Sequence, residues 1–215
     1  MSADLGFIHQ FIPATRPDLD ATLLLLHGTG GDEKDLIPLG QELLPGAAML
    51  SPRGKVLERG MPRFFRRFAE GVFDVEDLKL RAHELAKFVE DARKEYEIRG
   101  SLIAVGYSNG ANIAAGTIFL HPQLLAGAVL FRVMVPFVPE SAPNLTGLKA
   151  LVAAGRQDPI IPAAGATQLA EILKSGAAEV NMHWHNGGHE LGQDDIAAAR
   201  EWLNAWKPSS TASRL

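Results

Sequence analysis

The feature that most constrains the fold of this chain is the repeated alternation of short apolar segments with amphipathic ones. Residues 23–26 and 102–105 are fully apolar and have the length of strands buried on both faces of a sheet. Between them, residues 75–96 carry apolar side chains at intervals of three and four, which predicts one face of a long helix, and Asp74 is well placed to cap its first turn. Alternating strands and helices predict an α/β fold, with a mostly parallel sheet covered by helices on both faces.

The remaining segments extend this pattern. Residues 7–12 alternate apolar and polar side chains before a turn, which predicts an antiparallel edge strand. Further strands are predicted at 47–51, 125–131, 148–154 and 180–185, and further helices at 113–120, 163–174 and around 196–206. We expect one domain over residues 1–207, with no separate cap domain, followed by a flexible polar tail at 208–215.

Charge and composition exclude several classes of function. The 215 residues carry a formal net charge of -4, so there is no basic surplus to neutralise nucleic-acid phosphates. The absence of cysteine excludes disulfides, thiolate metal sites and a cysteine nucleophile. The most apolar stretch, residues 124–138, is interrupted by Arg132 and is shorter than a bilayer span, which predicts a buried strand. We expect a cytoplasmic protein without a stable membrane anchor.

One turn between a predicted strand and a predicted helix carries a nucleophile motif. Residues 106–110 read Gly-Tyr-Ser-Asn-Gly, which fits the pattern G-x-S-x-G with Ser108 at its centre. A serine on so sharp a turn adopts a strained backbone conformation, and the flanking glycines leave room for it. The same pattern also arises by chance in glycine-rich chains, so the motif needs partners elsewhere in the sequence.

A serine nucleophile requires a base and a group that orients the base, and candidates for both follow at later strand ends. Asp158 comes directly after the strand predicted at 148–154, and His189 follows the strand predicted at 180–185. The order Ser, Asp, His is the one that this motif requires. Together they predict Ser108 as nucleophile, His189 as general base and Asp158 as orienting acid.

Six further histidines compete for the role of the base, but none has the strand-end loop setting of His189. They are His9, His27, His83, His121, His183 and His185. We expect structural or surface roles for them. The spacing of His183 and His185 would suit a metal, but no third ligand can be identified in the sequence, so no metal is predicted.

A glycine-rich loop after an early strand completes the predicted site. The tetrahedral intermediate of acyl transfer needs two N–H donors for its oxyanion. We predict the backbone N–H of Asn109, directly after the nucleophile, and that of Thr29 in the loop at residues 27–31. Such a loop can also hold a phosphate, but neither a P-loop lysine nor a G-x-G-x-x-G pattern is present, so nucleotide binding is not expected.

With these motifs the chain resembles the α/β-hydrolase superfamily, and within it the compact phospholipase/carboxylesterase group that includes acyl-protein thioesterase-like enzymes. The resemblance is carried by the motifs at 27–30, 106–110, 155–162 and 187–189. It implies the α/β-hydrolase fold and is compatible with a homodimer. One departure is Asn109, which stands where many of these esterases carry Gln. Only its backbone N–H is needed, so the departure affects the likeness to the thioesterase branch.

Residues 53–73 interleave arginines with aromatic side chains and have no helix or strand periodicity. One hypothesis is that this segment folds over the active site, so that its aromatic side chains line an acyl pocket and an arginine attracts anionic substrate. The alternative is that the aromatic side chains close the core while the arginines lie in solvent. The pocket residues predicted here and in the later apolar stretch are Phe64, Phe65, Met134 and Phe137.

These observations predict a serine carboxylesterase that hydrolyses small to medium acyl esters through an acyl-enzyme, without a cofactor. A thioesterase, a lysophospholipase or an amidase would use the same triad. A non-catalytic binding protein on this scaffold is the alternative from another class, although it has no need of all three triad residues. The expected partner is a small-molecule ester rather than a nucleic acid or a membrane.

Overall fold

The computed structural model describes residues 5–16 and 18–206, and within them the strands and helices alternate as the sequence pattern predicts. The strands are β1 (His9–Ile12), β2 (Ala21–Leu26), β3 (Ala48–Pro52), β4 (Val56–Glu58), β5 (Met61–Arg63), β6 (Arg67–Ala69), β7 (Val72–Phe73), β8 (Ser101–Tyr107), β9 (Gly127–Phe131), β10 (Lys149–Gly155) and β11 (Glu179–His185). The helices are α1 (Ile37–Leu43), α2 (Val75–Glu95), α3 (Asn109–Leu120), α4 (Ala163–Ser175) and α5 (Gln193–Ala205). The tail predicted at 208–215 lies outside the described residues.

Seven of the strands form one sheet, in the order β1-β3-β2-β8-β9-β10-β11. All neighbours in it are parallel except β1 and β3, which pair antiparallel. The predicted α/β fold, its mostly parallel sheet and its antiparallel edge strand are therefore confirmed. No part of the described chain forms a separate cap domain.

Alternate residues along each strand pack against different helices, because successive side chains of a strand point to opposite faces. Leu24 and Leu26 of β2 belong to the core beneath α2, α3 and α4. Leu23 and Leu25 belong to the core beneath α1 and α5. All four side chains are fully buried, which explains why the run is apolar without alternation.

Three features of the fold differ from the sequence prediction. Helix α1 contains Pro38 near its start and the buried Gly40 in its interior, and both residues disfavour a helix by propensity. Residues 53–73, predicted as an irregular segment, form two short hairpins, β4-β5 and β6-β7. Helix α3 begins at Asn109, earlier than the helix predicted at 113–120, because the nucleophile turn leads directly into it.

The parallel arrangement determines where chemistry can occur. The carboxyl ends of β8, β10 and β11 lie at one edge of the sheet, and Ser108, Asp158 and His189 follow these three strands. Ligands of open α/β sheets bind at this edge.

In the described part of the chain, no helix combines the length and the apolar character needed to cross a lipid bilayer.

Helix α2 begins with the side-chain cap that the sequence predicts. The Asp74 carboxylate accepts a hydrogen bond from the backbone N–H of Asp77 at 3.1 Å. Replacing Asp74 with Ala should lower the free energy of unfolding by about 1 kcal/mol, measured by urea denaturation, because this N–H loses its acceptor. Glu76→Ala is the control. Its side chain is 86% exposed, and we expect a change below about 0.5 kcal/mol. Equal losses in both variants would contradict the capping role.

Candidate active site

The turn that carries Ser108 is as sharp as the sequence motif predicts. Ser108 lies between β8 and α3 with φ 51° and ψ -111°, in the left-handed half of the backbone map that side chains rarely adopt. A Cβ atom on Gly106 would lie 2.7 Å from Ala111, and one on Gly110 would overlap the carbonyl of Leu26. Glycine is therefore required at both positions if α3 is to start so close to the sheet.

The three side chains predicted as a triad lie in one chain of hydrogen bonds. His189 Nδ1 is 2.8 Å from Asp158 Oδ2, and His189 Nε2 is 3.0 Å from Ser108 Oγ. A carboxylate can only accept, so Nδ1 carries the proton and Nε2 is free to accept the proton of the serine hydroxyl. The Asp158 side chain is 1% exposed and that of His189 is 18% exposed, so the acid is shielded while the imidazole remains accessible.

The acid is fixed by its own loop. Asp158 Oδ1 accepts hydrogen bonds from the backbone N–H groups of Ile160 and Ile161, at 2.8 and 3.0 Å. These bonds leave Oδ2 for the imidazole. The adjacent backbone N–H of Gln157 donates to the carbonyl of Gly187 at 3.0 Å, which joins the acid loop to the loop of the base.

The two residues predicted as oxyanion donors are held by the segment after β4. The Asn109 side chain accepts a hydrogen bond from the Phe64 N–H at 2.8 Å, and Thr29 Oγ1 accepts one from Arg63 Nη1 at 2.5 Å. Asn109 is also the first residue of α3, where backbone N–H groups lack a partner within the helix. The backbone of Pro62 accepts from the Gly30 N–H at 2.9 Å. The nucleophile turn and the glycine-rich loop are thus joined through residues 62–64.

Arg63 is a buried cation in this joint. Its side chain is 3% exposed, and burial lowers its pKa to about 10, aided by the nearby charge of Arg67 and opposed by Glu58. It therefore remains protonated at neutral pH. Its position could not be recognised from the sequence, because nothing in the local sequence distinguishes it from the other arginines of residues 53–73.

His27 has a structural position, as the sequence predicts. Its Nδ1 lies 2.7 Å from the carbonyl of Gly28, and its Nε2 accepts a hydrogen bond from the Gly54 N–H at 2.9 Å. One neutral tautomer satisfies both contacts, and burial lowers the pKa of His27, which favours that neutral form. His27 thus shapes the glycine-rich loop.

The structure does not support the pocket predicted at Phe64 and Phe65. These side chains are only 3% and 0% exposed and belong to the core beneath α2 and α3, so they have no surface to offer a substrate. Phe137, half-buried, packs edge-to-face on Phe119 of α3. Met134 is also half-buried, and its N–H donates to the Asn112 side chain at 2.8 Å.

Four of the five arginines of residues 53–73 are paired with carboxylates, and the fifth, Arg59, is exposed. Arg66 lies 3.0 Å from the carboxylate of Asp74, and Arg67 lies 3.0 Å from that of Glu58. In each pair the carboxylate balances the positive charge of the arginine, which was expected to attract an anionic substrate. Phe64 and Phe65 close the core, as in the alternative to the pocket hypothesis.

One group of side chains has the composition of a metal site. His185, Asp194 and Asp195 can each place a ligand atom within 4.8 Å of the others. However, His185 already bonds Asp194 at 2.8 Å and lowers the pKa of that carboxyl through this bond, and both oxygens of Asp195 accept from the guanidinium of Arg132. Since the guanidinium repels a cation, we assign no metal to this group.

Two more residues that the sequence analysis did not assign to the site contact the loop of His189. Burial raises the pKa of Tyr107, whose neutral hydroxyl donates to the carbonyl of His189 at 3.1 Å. Arg132 donates to the carbonyls on either side of that residue. The signal for Arg132 was present in the sequence as a single charge inside the most apolar stretch of the chain, which indicates a buried ion pair.

The chain resembles known proteins in both sequence and structure. The sequence profile of the phospholipase/carboxylesterase family matches residues 9–207. The chain is 46% identical over 184 residues to MhqD of Bacillus subtilis (strain 168), which is named as a hydrolase, covering 85% of this chain and 92% of that relative.

Solved structures resemble the whole described fold. The crystal structure of the Bacillus cereus carboxylesterase has a TM-score of 0.89 at 47% identity, covering 92% of this chain and 93% of that one. A carboxylesterase from Mesorhizobium loti has a TM-score of 0.88 at 30% identity, with coverages of 95% and 97%.

The close contact at Gly110 leads to a test of the turn. Gly110→Ala should lower the free energy of unfolding by about 3 kcal/mol or more, because the new Cβ meets backbone atoms of Leu26 and His27 that cannot move aside. Gly165→Ala in α4 is the matched control, since a Cβ there meets nothing within 4 Å. We expect the control to change stability by no more than about 1 kcal/mol, as a gain. A Gly110→Ala variant as stable as the parent in urea would refute the steric argument.

Proposed function

The chain belongs to the phospholipase/carboxylesterase family and is therefore a hydrolase, and from this premise we propose that it is a serine carboxylesterase with Ser108, His189 and Asp158 as its catalytic triad. The observation that carries the proposal is the continuous chain of hydrogen bonds from Asp158 through His189 to Ser108. The donor-to-acceptor direction of these bonds suits a serine nucleophile, since the carboxylate fixes the imidazole tautomer in which Nε2 can accept a proton.

In the first half of the proposed reaction, Ser108 Oγ attacks the carbonyl carbon of the ester while its proton passes to His189 Nε2. The carbonyl oxygen becomes an oxyanion, and the backbone N–H groups of Thr29 and Asn109 are the proposed donors to it. The intermediate then collapses with cleavage of the bond to the alcohol oxygen. The alcohol leaves with the proton from Nε2, and the acyl group remains on Ser108.

In the second half, a water molecule attacks the acyl carbon while His189 Nε2 accepts one of its protons. Collapse of this second intermediate breaks the bond to Ser108 Oγ, which regains the proton from Nε2. A carboxylic acid is released. The buried Asp158 carboxylate stabilises the imidazolium that forms in each half, because its charge lies 2.8 Å from Nδ1 in a place shielded from water.

The acid released is the same for an ester, a thioester or an amide, so the triad alone does not select among these substrates. We propose small to medium acyl esters as the preferred class. The support is that the large aromatic side chains beside the turn, Phe64 and Phe65, are occupied in the core, so they provide no long apolar channel for a fatty acyl chain. The names of the carboxylesterase structures favour esters over amides.

The nucleophile is tested by labelling with a fluorophosphonate probe and by turnover of p-nitrophenyl acetate. The parent should be labelled and Ser108→Ala should not, with a fall in kcat on the order of 10⁶-fold because no acyl-enzyme can form. Ser175→Ala is the matched control, since Ser175 is exposed at the end of α4 and its hydroxyl donates to the carbonyl of Ile172 in the same helix. A folded parent that resists the probe and lacks turnover would instead favour the non-catalytic binding protein.

The substrate class is tested with p-nitrophenyl acetate, butyrate, octanoate and palmitate, alongside a butyryl thioester. We expect kcat/KM to fall by about tenfold or more between butyrate and palmitate, because the long chain finds no complementary buried surface. A maximum at palmitate would reject the preference for small to medium esters. A kcat/KM for the thioester well above that for the ester of the same acyl group would reject the ester assignment in favour of a thioesterase.

A further inference from the structure

The loop that carries His189 is held by hydrogen bonds to three consecutive backbone carbonyls. Arg132 Nε donates to the carbonyl of Gly188 at 3.0 Å, and Arg132 Nη2 donates to that of Glu190 at 2.7 Å. The carbonyl between them, of His189 itself, accepts from the Tyr107 hydroxyl at 3.1 Å. Because these bonds flank and include the proposed base, they determine where its imidazole can lie.

Arg132 is itself fixed by a buried ion pair. Its Nη1 and Nη2 donate to the two oxygens of Asp195 at 3.0 and 2.6 Å, and both side chains are 0% exposed. Asp195 Oδ2 also accepts a hydrogen bond from the backbone N–H of Gly192 at 2.8 Å. A guanidinium has donors in a rigid planar fork, so it can bind a carboxylate and two separate carbonyls at once, which an ammonium group cannot do with the same geometry.

The consequence of this ion pair is geometric more than energetic. Removing two charges from water costs about as much free energy as their attraction returns, so a buried pair is weak support for a role in stability. The bonds from the guanidinium to the loop carbonyls, by contrast, have specific directions. Asp195 also neutralises Arg132, so the guanidinium can lie beside the loop without opposing the imidazolium that forms on His189 during the reaction.

The backbone at residues 131 and 132 is hydrogen-bonded to the segments that lead to the other two triad residues. The carbonyl of Phe131 accepts a hydrogen bond from the Ser108 N–H at 2.9 Å. The N–H of Arg132 donates at 2.8 Å to Ala153, in the strand that leads to the acid loop. Arg132 has φ 53°, a left-handed conformation that is strained for a side chain of this size. Strain at the point where three catalytic loops meet indicates that the residue is held there by its contacts.

We propose that Arg132 is a positioning residue for the general base, and that Asp195 orients Arg132 for this task. The proposal rests on the proposed function, because it concerns the same triad. Arg132 does not contact the reacting atoms. It holds the carbonyls at 188 and 190 so that His189 Nε2 stays within hydrogen-bond reach of Ser108 Oγ, at the observed 3.0 Å, through both halves of the reaction.

The first experiment compares Arg132→Met and Arg132→Lys with the parent in hydrolysis of p-nitrophenyl acetate. We expect kcat to fall by about 10²-fold for Arg132→Met with KM changed less than about twofold, because a displaced base slows proton transfer without altering the binding surface. Arg132→Lys should lie between this variant and the parent, since it keeps a charge for Asp195 but not the planar fork. Equal kcat in the parent and Arg132→Lys would overturn the proposal.

A matched control separates positioning from loss of stability. Leu85 is a buried residue of α2, and Leu85→Ala or the milder Val89→Ala creates a cavity in the core on the face of the sheet opposite α5, the helix that carries Asp195. The control chosen is the one whose Tm matches that of Arg132→Met, and it should retain the parent kcat. A control that loses kcat as Arg132→Met does would assign the effect to stability and overturn the proposal. If Arg132→Met does not fold, the kcat of Arg132→Lys is compared with that of a core variant of equal Tm, and this comparison tests the proposal.

A double-mutant cycle identifies the residue through which Arg132 acts. In a His189→Ala background there is no imidazole left to position, so Arg132→Lys should change the residual kcat by less than about twofold. If Arg132 acted independently of His189, its loss would lower kcat by the same factor in both backgrounds. That additive result would contradict the proposal.

A readout without turnover keeps this inference separate from the proposed function. The proton of His189 Nδ1 in its bond to Asp158 gives a downfield NMR signal, which is assigned by its loss in His189→Ala. We expect the signal to be lost or shifted in Arg132→Lys and unchanged in the core control. If the parent shows the signal but hydrolyses no ester, the proposed function fails while the positioning role is still tested. An unchanged signal in Arg132→Lys would overturn the positioning role whatever the activity.

Discussion

The rest of this structure depends on one tight turn, in which β8 passes through Ser108 directly into α3. The turn is possible only because Gly106 and Gly110 leave no Cβ between α3 and the sheet, so the helix can start against the backbone of Leu26. A left-handed serine costs about 1–3 kcal/mol, which the surrounding contacts must offset. One such contact is the bond from the Ser108 N–H to Phe131 in the neighbouring strand. The strained conformation of Ser108 and the packing of α3 on the parallel sheet are therefore one feature.

The other groups of the site are positioned by bonds between loops rather than by regular structure. Parallel strands bring the ends of β8, β10 and β11 to the same edge, but a strand end determines a side chain only to within several ångströms. Contacts between loops fix the side-chain positions more closely. Examples are the hydrogen bond of Gln157 with Gly187 and those of Arg132 with the loop that carries His189. The Arg132 side chain is fully buried, and in such a place a hydrogen bond is stronger and an unpaired group more costly. The loops are thus held in one arrangement.

How much of this could be predicted from the sequence depends on how local each signal is. The buried strands, α2 with its Asp74 cap, and the strand-end loops that carry Ser108, Asp158 and His189 are all encoded within a few neighbouring residues, so their places in the fold could be predicted from the sequence. The burial of Phe65 is not local, because it depends on how two hairpins fold onto α2. The partner of Arg132 is equally distant, since Asp195 lies 63 residues further along the chain. The sequence indicates that such a buried charge needs a partner, but it does not identify the partner.

In the hairpin segment at residues 53–73, the side chains do not have the roles that their residue types suggest. Its arginines and aromatic side chains have the composition of a substrate-binding surface, yet four of the five arginines are paired with carboxylates, and Phe64 and Phe65 are buried. What the segment does contact is the pair of loops proposed to hold the oxyanion, through Pro62, Arg63 and Phe64. A preorganised oxyanion hole acts mainly on the transition state, because its dipoles need no reorganisation as charge develops. On the proposed mechanism, the segment would therefore contribute to the rate of the chemical step more than to the recognition of the acyl chain.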